Sequence, residues 1–311
     1  MGRGVKRILH LPHDARRLRA VVAELDPDVL HVHRSDDQWL ARFALGRIAR
    51  PLLVRTWHRD PAQVAAILRR KLARACHAGL CVSREHLQTL LAAGAPRAAF
   101  LQPGVDTGRF APAAPGTALD SAPTAAKSGK NTVLGLIARW KLKEDRGQRA
   151  FLEIAQRLNR QAAWKGALIG RGEGSQALAA LLAAHPARER LSIKESNADF
   201  HLQVAALDVG LVFAVGSDGT SRAAAELLAS GVPILVADLP GLRELGEDPA
   251  CARVLPPLDL AAWTRELERL LENPALLSAM KKAARARAEA VHGLSVRGTA
   301  LATFYRQMQQ P

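Results

Sequence analysis

Twice along this sequence, apolar strand-like runs alternate with amphipathic helix-like runs, and a stretch of different composition separates the two sets. That alternation is the tightest constraint on the fold. A strand buried on both faces reads as a continuous Val/Ile/Leu run, and parallel neighbours need crossover connections, usually helices. In the first set, VKRILHL reads as a strand and DARRLRAVVAEL as an amphipathic helix. PDVLHVH is then a buried strand, DQWLARFALGRIA a helix and PLLVRTWH a strand. The basic helix PAQVAAILRRKLARAC, the strand AGLCVS, the helix REHLQTLLAAGA and the run RAAFLQPGVD complete it.

Residues 111–130, APAAPGTALDSAPTAAKSGK, are rich in Ala, Pro, Gly and Ser without apolar periodicity, which is the composition of an exposed linker. The second set runs TVLGLIA, GQRAFLEIAQRL, WKGALIG, SQALAALLAAH, RLSIKE, DFHLQVAAL and DVGLVFA, then a further helix and the strand VPILVA. The pattern predicts an α/β protein with two Rossmann-like, doubly wound parallel-sheet lobes and a cleft between them. Ligands in such sheets bind at strand carboxyl ends. The expected division is 1–110 for the first lobe, 111–130 for the linker and 131–295 for the second lobe. A last helix in 296–311 can pack on either lobe.

Composition narrows the function classes. Hydrophobic residues are 48% and charged residues 23% of the chain, ordinary for a globular protein. No apolar run reaches the ~18 residues of a membrane-spanning helix, and the basic N-terminus lacks the apolar centre of a signal peptide. Cys76, Cys81 and Cys251 lack the spacing of a disulfide framework, a zinc site or a redox pair, so the expectation is a reducing cytoplasm. Against 29 acidic residues stand 44 Lys plus Arg, a net charge of +15. Such an excess suits phosphorylated ligands or an anionic membrane surface, or reflects a genome that favours Arg. The cations are scattered and not interleaved with aromatics, so no nucleic acid is expected as a partner.

Polar residues and glycines gather after the predicted strands. WKGALIG leads into RGEGS, where Gly170, Arg171 and Gly172 border either a phosphate or an ordinary tight turn. LGLIA leads into RWKLKEDRG, whose Arg139, Lys143 and Arg146 either offset a leaving diphosphate or form a solvated loop. Glu195 closes RLSIKE and joins the substrate-binding candidates. GLVFAVG leads into SDGTSRAAAE, which sets Asp218 before Gly219, Thr220 and Ser221 at a helix start, with Glu226 further along. The cluster reads as a phosphate and sugar cradle or as a capped helix, and Glu226 sits awkwardly among Ala223, Ala224, Leu227 and Leu228. His31 and His33 alternate in VLHVH and are expected on opposite strand faces, while His58 closes VRTWH at a strand end. No His/Cys/Asp set has metal spacing, so no metal is expected.

In order along the chain, these residues resemble the retaining, family-four glycosyltransferases of GT-B architecture. PDVLHVH is similar to the family's PDVVHAH strand, and VRTWHR to its Thr-x-His strand end. CVSREHLQTLLAAGAP…LQPGVDTGRFAP resembles AVSEAVRRRLLEAGVP…VVPNGVDLERFRP over about thirty positions, the most specific of the similarities. LGLIARW…DRG resembles the start of the donor lobe, LIGRGEG looks like LVGDGP, and Asp218 and Glu226 match a two-acid motif with seven residues between.

The resemblance implies sugar transfer from a nucleoside-diphosphate sugar, with retention and without metal or other cofactor, onto a lipid, lipopolysaccharide or other cell-envelope glycan. It implies that Arg139 and either Lys143 or Arg146 stabilise the diphosphate, that Glu226 holds the ribose and that Asp218 contacts the sugar. His58 would lie near the reacting carbon. Placement in the cytoplasm, on the inner membrane face, follows by analogy. Three departures stand out. Asp218 replaces a Glu, the RWKLKEDRG loop is two residues longer, and PDVLHVH begins at residue 27, earlier than in the family. The expectation is therefore a shortened acceptor lobe. The alternatives are a non-catalytic or partner-dependent sugar-nucleotide-binding protein and a nucleotide-sugar epimerase.

Overall fold

The computed structural model describes residues 3–46, 50–113, 131–141, 144–158, 162–214 and 221–310. They divide into two compact units, one of residues 3–101 with 298–310, the other of residues 102–214 and 221–297. Among the described residues no helix is long and apolar enough to cross a membrane.

The first unit begins with α1 (Arg3–Leu25), followed by β1 (Val29–Val32), α2 (Ser35–Leu45), β2 (Leu52–Trp57) and α3 (Ala66–Arg74). β3 (Ala78–Cys81), α4 (Arg84–Ala92) and β4 (Ala98–Phe100) complete its continuous part. The run VKRILHL is therefore helix, not strand. A short apolar run cannot be assigned by periodicity alone, and here it continues into the helical pattern that follows, across Pro12.

All four strands are parallel and lie in chain order, β1-β2-β3-β4. Right-handed crossovers that always step the same way put every crossover helix on one face. The packing agrees. On that face Trp57 and Cys81 meet Leu72, Ala73 and Leu90, while Val32 and Leu53 meet Ala41. Arg55 points the same way and is satisfied by Gln38 Oε1 (2.6 Å) and Ser35 Oγ (2.9 Å), with its guanidinium over the Trp57 ring. The opposite face carries Val54, Ala78 and Leu80, and its cover comes from the far end of the chain. Leu301, Phe304, Tyr305 and Met308 of the C-terminal helix close that cluster.

The second unit contains β5 (Thr132–Ile137), α5 (Gln148–Arg157), β6 (Trp164–Gly170), α6 (Ser175–Ala183) and β7 (Leu191–Glu195). It continues with α7 (Phe200–Ala205), β8 (Val209–Val212), α8 (Arg222–Ala229), β9 (Ile234–Ala237), β10 (Ala252–Leu255), α9 (Leu260–Glu272) and α10 (Pro274–Arg287). Asp259 and Asn273 cap the last two, accepting from Ala262 N (2.9 Å) and Leu276 N (2.9 Å). A π turn (Ala288–His292) leads into α11 (Leu294–Gln309), whose residues from Gly298 onward belong to the first unit.

The six strands are parallel in the order β10-β9-β8-β5-β6-β7. From β5 the chain steps outward to β7, then returns to the other side of β5 and steps outward again. The reversal makes β5 and β8 neighbours across a topological switch point, where a doubly wound sheet opens a crevice beyond its carboxyl ends. Val209, Leu211, Ile234, Leu235 and Val236 are wholly buried, as parallel central strands require. The turn GVDTGRF also belongs to this unit. Asp106 Oδ1 accepts from Gly108 N and Arg109 N (both 3.0 Å), and Val105 N donates to His292 O at 2.7 Å.

Candidate functional site

The loop leaving β5 lies against the loop leaving β6. Trp140 N donates to Arg171 O (3.1 Å), and Gly174 N to Trp140 O (3.2 Å). A Cβ on Gly170 would stand 1.9 Å from Ala138 O, and one on Gly172, at φ +149°, 2.0 Å from Trp140 O. Bare backbone is needed at both positions for the two loops to touch, which accounts for these glycines without a phosphate. Arg171 between them is exposed, as is Glu195, which pairs with Gly170 at the end of β7.

Along the β5 loop the cations differ in how far they are already neutralised. Glu144 takes both Lys141 and Arg146, the latter at 2.7 Å. The hydrogen bond from Lys141 above all, with Arg146 nearby, holds the Glu144 carboxyl below the usual carboxylate range. Arg139 is exposed and has no carboxylate partner among the described residues. Asp145 caps α5 through Gly147 N (3.0 Å) and Gln148 N (2.8 Å). Gly147 sits at φ +101°, where a Cβ would come 2.4 Å from Phe213, the residue after β8. The start of α5 is thereby fixed across the switch point. Lys143 lies outside the described residues, as do Asp218, Gly219 and Thr220.

Ser221 is the N-cap of α8; its Oγ accepts from Ala224 N at 3.1 Å. The capping alternative therefore holds for this hydroxyl, which still has its own proton to donate. Glu226 stands one turn further along, half-buried beside the fully buried Ala225 and Leu227. Its carboxylate takes no hydrogen bond from the described residues. Burial raises its pKa above the usual carboxylate value, and the charges of Arg222 and Arg109 oppose that only in part. Arg109 was not singled out in the sequence. Its place in the GVDTGRF turn was the available signal, because the Asp106 turn aims it back at this unit.

In the first unit the strand ends gather histidines. His31 bonds to Tyr305 Oη through Nδ1 (2.6 Å) and to Thr56 Oγ1 through Nε2 (2.7 Å). His33 Nδ1 meets His58 Nε2 at 3.0 Å. The expectation that His31 and His33 face opposite ways fails: their rings stack with centroids 4.5 Å apart. Alternation along a strand puts neighbouring residues on opposite faces and residues two apart on the same face, so the stacking is what the pleat itself gives and the expectation misapplied it. One nitrogen of the His33–His58 contact donates and the other accepts, so the tautomers of the two rings are linked. Sequence reading missed His33 as the partner of His58, and Tyr305 altogether.

Other nucleophile chemistry is disfavoured. All three cysteines are free and buried, and burial pushes the Cys76 and Cys81 thiols up to about 12 and Cys251 to about 11. Among the described residues no three His, Cys, Asp or Glu side chains are placed to share a metal ion.

Comparison with known proteins follows this division. Residues 2–109 match the family model described as Glycosyltransferase Family 4, and residues 131–273 match that of Glycosyl transferases group 1. No curated protein sequence matches the chain. Among solved structures, Anabaena HepE in complex with UDP superposes with a TM-score of 0.78 at 18% identity, covering 94% of this chain and 82% of its own. Sucrose-phosphate synthase from Thermosynechococcus elongatus gives 0.78 at 16% identity, with 96% and 78% covered. The lipopolysaccharide outer core galactosyltransferase WaaB gives 0.71 at 11% identity, with 97% and 81% covered. These likenesses show the fold, which is GT-B. With a glycosyltransferase signature on each unit, the chain is a transferase of the glycosyltransferase class.

Proposed function

We propose that this chain moves a sugar from a nucleoside-diphosphate sugar to a hydroxyl of a glycan or lipid acceptor. The configuration at the anomeric carbon is retained, and side-chain cations rather than a metal take up the leaving charge. Glu226 carries the reading. A carboxylate held in apolar surroundings, in the helix that leaves the switch-point strand, takes no hydrogen bonds from the described residues, and a ribose diol would supply them. HepE, which shares the fold, has been seen with UDP and with UDP-glucose.

In this mechanism the bond from the anomeric carbon to the diphosphate oxygen breaks, and the acceptor oxygen bonds to the same face. The acceptor proton passes to the departing phosphate. Arg139 and Lys143 stabilise that phosphate; Arg146 is less available because Glu144 already holds it. Asp218 contacts the sugar, with Gly219, Thr220 and Ser221 around it. Gly170, Arg171, Gly172 and Glu195 border the nucleotide, and His58, with His33, stands near the reacting carbon.

A calorimetric screen of nucleotide sugars tests the reading. Glu226→Ala should weaken donor binding by about 1–3 kcal/mol, the loss of a hydrogen bond to a charged group. Equal affinity for every donor would remove Glu226 from the site. Product analysis separates transfer from epimerisation and from binding without turnover.

We also propose contact with an anionic membrane surface through α3. Ile67 and Leu68 are 72% and 43% exposed there, beside the exposed Arg70, Lys71 and Arg74. Co-sedimentation with phosphatidylglycerol vesicles but not with phosphatidylcholine is expected, and Ile67→Glu should abolish it. Equal sedimentation of variant and parent would rule α3 out.

A further inference from the structure

A groove of about 810 Å³ opens in the second unit at the amino ends of β5, β6 and β7, the opposite end of the sheet from the switch point. Strand register fixes its position. Val133 pairs with Lys165 at the start of β6, and Val133 N donates to Asp208 Oδ2 (2.7 Å) just before β8. The return connection from β7 to β8 carries only the six-residue α7, and residues 165–167 of β6 with Leu191, Ser192 and Lys194 of β7 line the groove.

Its floor is apolar, formed by Val133, Ala167, Leu191, Ala206 and Leu207. Its walls bring six cations from four separate elements, Lys165, Arg190, Lys194, Lys281, Lys282 and Arg285, against two acids, Glu189 and Asp208. Three of the cations are committed within the fold: Arg190 donates to Ala162 O (2.7 Å) and lies over the Trp164 ring. Lys281 pairs with Asp208, and Arg285 serves Glu289 and the carbonyls of Thr107, Phe110 and Ala229. Lys165, Lys194 and Lys282 have no carboxylate partner among the described residues. Ser230 also lines the groove. It is 3% exposed, and its hydroxyl has no hydrogen-bond partner among the described residues. A buried hydroxyl left unsatisfied in a groove that Lys165 and Lys282 also line is a polar arrangement suited to an anion.

We propose that this groove is a second binding site, for an anionic amphiphile: a phosphate or carboxylate head held by Lys165, Lys282 and Ser230, with an apolar body on the strand floor. The volume lies within the range of ligand pockets, about 300–1,000 Å³, and the combination of apolar floor and few polar anchors is theirs as well. The site is independent of the donor reading, since none of its lining residues belongs to the switch-point loops.

The test is calorimetry on the full chain with dodecyl phosphate below its micelle concentration, beside inorganic pyrophosphate and UDP. Saturable binding of one dodecyl phosphate is expected. The Lys165→Glu/Lys282→Glu double variant should weaken it at least tenfold, Ser230→Ala about three- to tenfold, and neither should alter UDP binding. Lys282→Glu, at an exposed position, provides a milder variant should the double one melt early. Binding unchanged in all three variants, or absent from the parent, overturns the site. Pyrophosphate binding as tightly as dodecyl phosphate overturns the amphiphile. Binding seen only after residues 114–130 are replaced by a Gly-Ser tether would mean that the chain fills its own groove, and would also overturn the proposal. Loss of UDP binding in Glu226→Ala with dodecyl phosphate unaffected would separate the two sites.

Discussion

The four-stranded and six-stranded sheets are made from the same alternation of parallel strand and crossover helix, but the chain winds them differently. In the second unit it reverses direction at β5, so helices reach both faces and a crevice opens between β5 and β8. In the first unit it never reverses. That sheet has no switch point of its own, and one face stays bare until α11 covers it. Winding direction thus separates two roles. One unit is complete in itself and has a crevice made by its topology. The other presents chemistry only as side chains at strand ends, chiefly His31, His33 and His58, and depends on a helix from elsewhere in the chain.

The contrast can be broken most forcefully by ending the chain at Arg297. Burial of Leu301, Phe304, Tyr305 and Met308 is worth roughly 1.5–3 kcal/mol per large side chain, so the first unit should lose its cooperative transition. Calorimetry should show the second unit still melting. Two intact transitions would mean that the bare face needs no cover. Gly172→Ala reverses the target: its Cβ would collide with Trp140 O, so the second unit should lose about 2–4 kcal/mol while the first is untouched. An unshifted melting temperature would show that the two loops do not need their contact.

The smallest effect sharpens the comparison within the crevice. Burial raises the Glu226 pKa in the folded state, so folding favours its protonated form. Its stabilising contribution is complete below the unfolded carboxylate pKa and is lost as pH rises through the raised value. Glu226→Gln should therefore be more stable than the parent at neutral pH, with the difference vanishing as pH falls below the carboxylate range. Donor affinity of the parent should rise with pH over the same window. A pH-independent difference between the two proteins would place the Glu226 carboxyl in water.

The strands of the second unit were legible because central parallel strands leave continuous apolar runs, as TVLGLI and VGLV do. VKRILHL was misread for a related reason: a short apolar run looks alike in a buried strand and in a helix. Within the candidate site, the sequence located Glu226 through its apolar neighbours and His58 through its strand end. It could not assign Gly170 and Gly172 to loop packing, since that depends on where Ala138 and Trp140 lie. Nor could it see His33 beside His58, because the parallel pairing of β1 with β2 and its register bring those two strand ends together. The amino-end groove was invisible for the same reason. Lys165, Ser230 and Lys282 are far apart in sequence and line one groove only because the fold brings their elements together.

The cover that α11 provides also sets a timetable. On a ribosome, β1 to β4 emerge before the whole second unit, and their partner helix is made only after it. At about 5–20 residues per second the interval is on the order of tens of seconds. Through that time Val54, Ala78 and Leu80 lie on an open parallel sheet that nothing made so far can close, while the second unit folds beside it. Maturation of the nascent chain therefore proceeds out of sequence order, with the middle finished first, and chaperones would be needed chiefly for the part that was synthesised earliest.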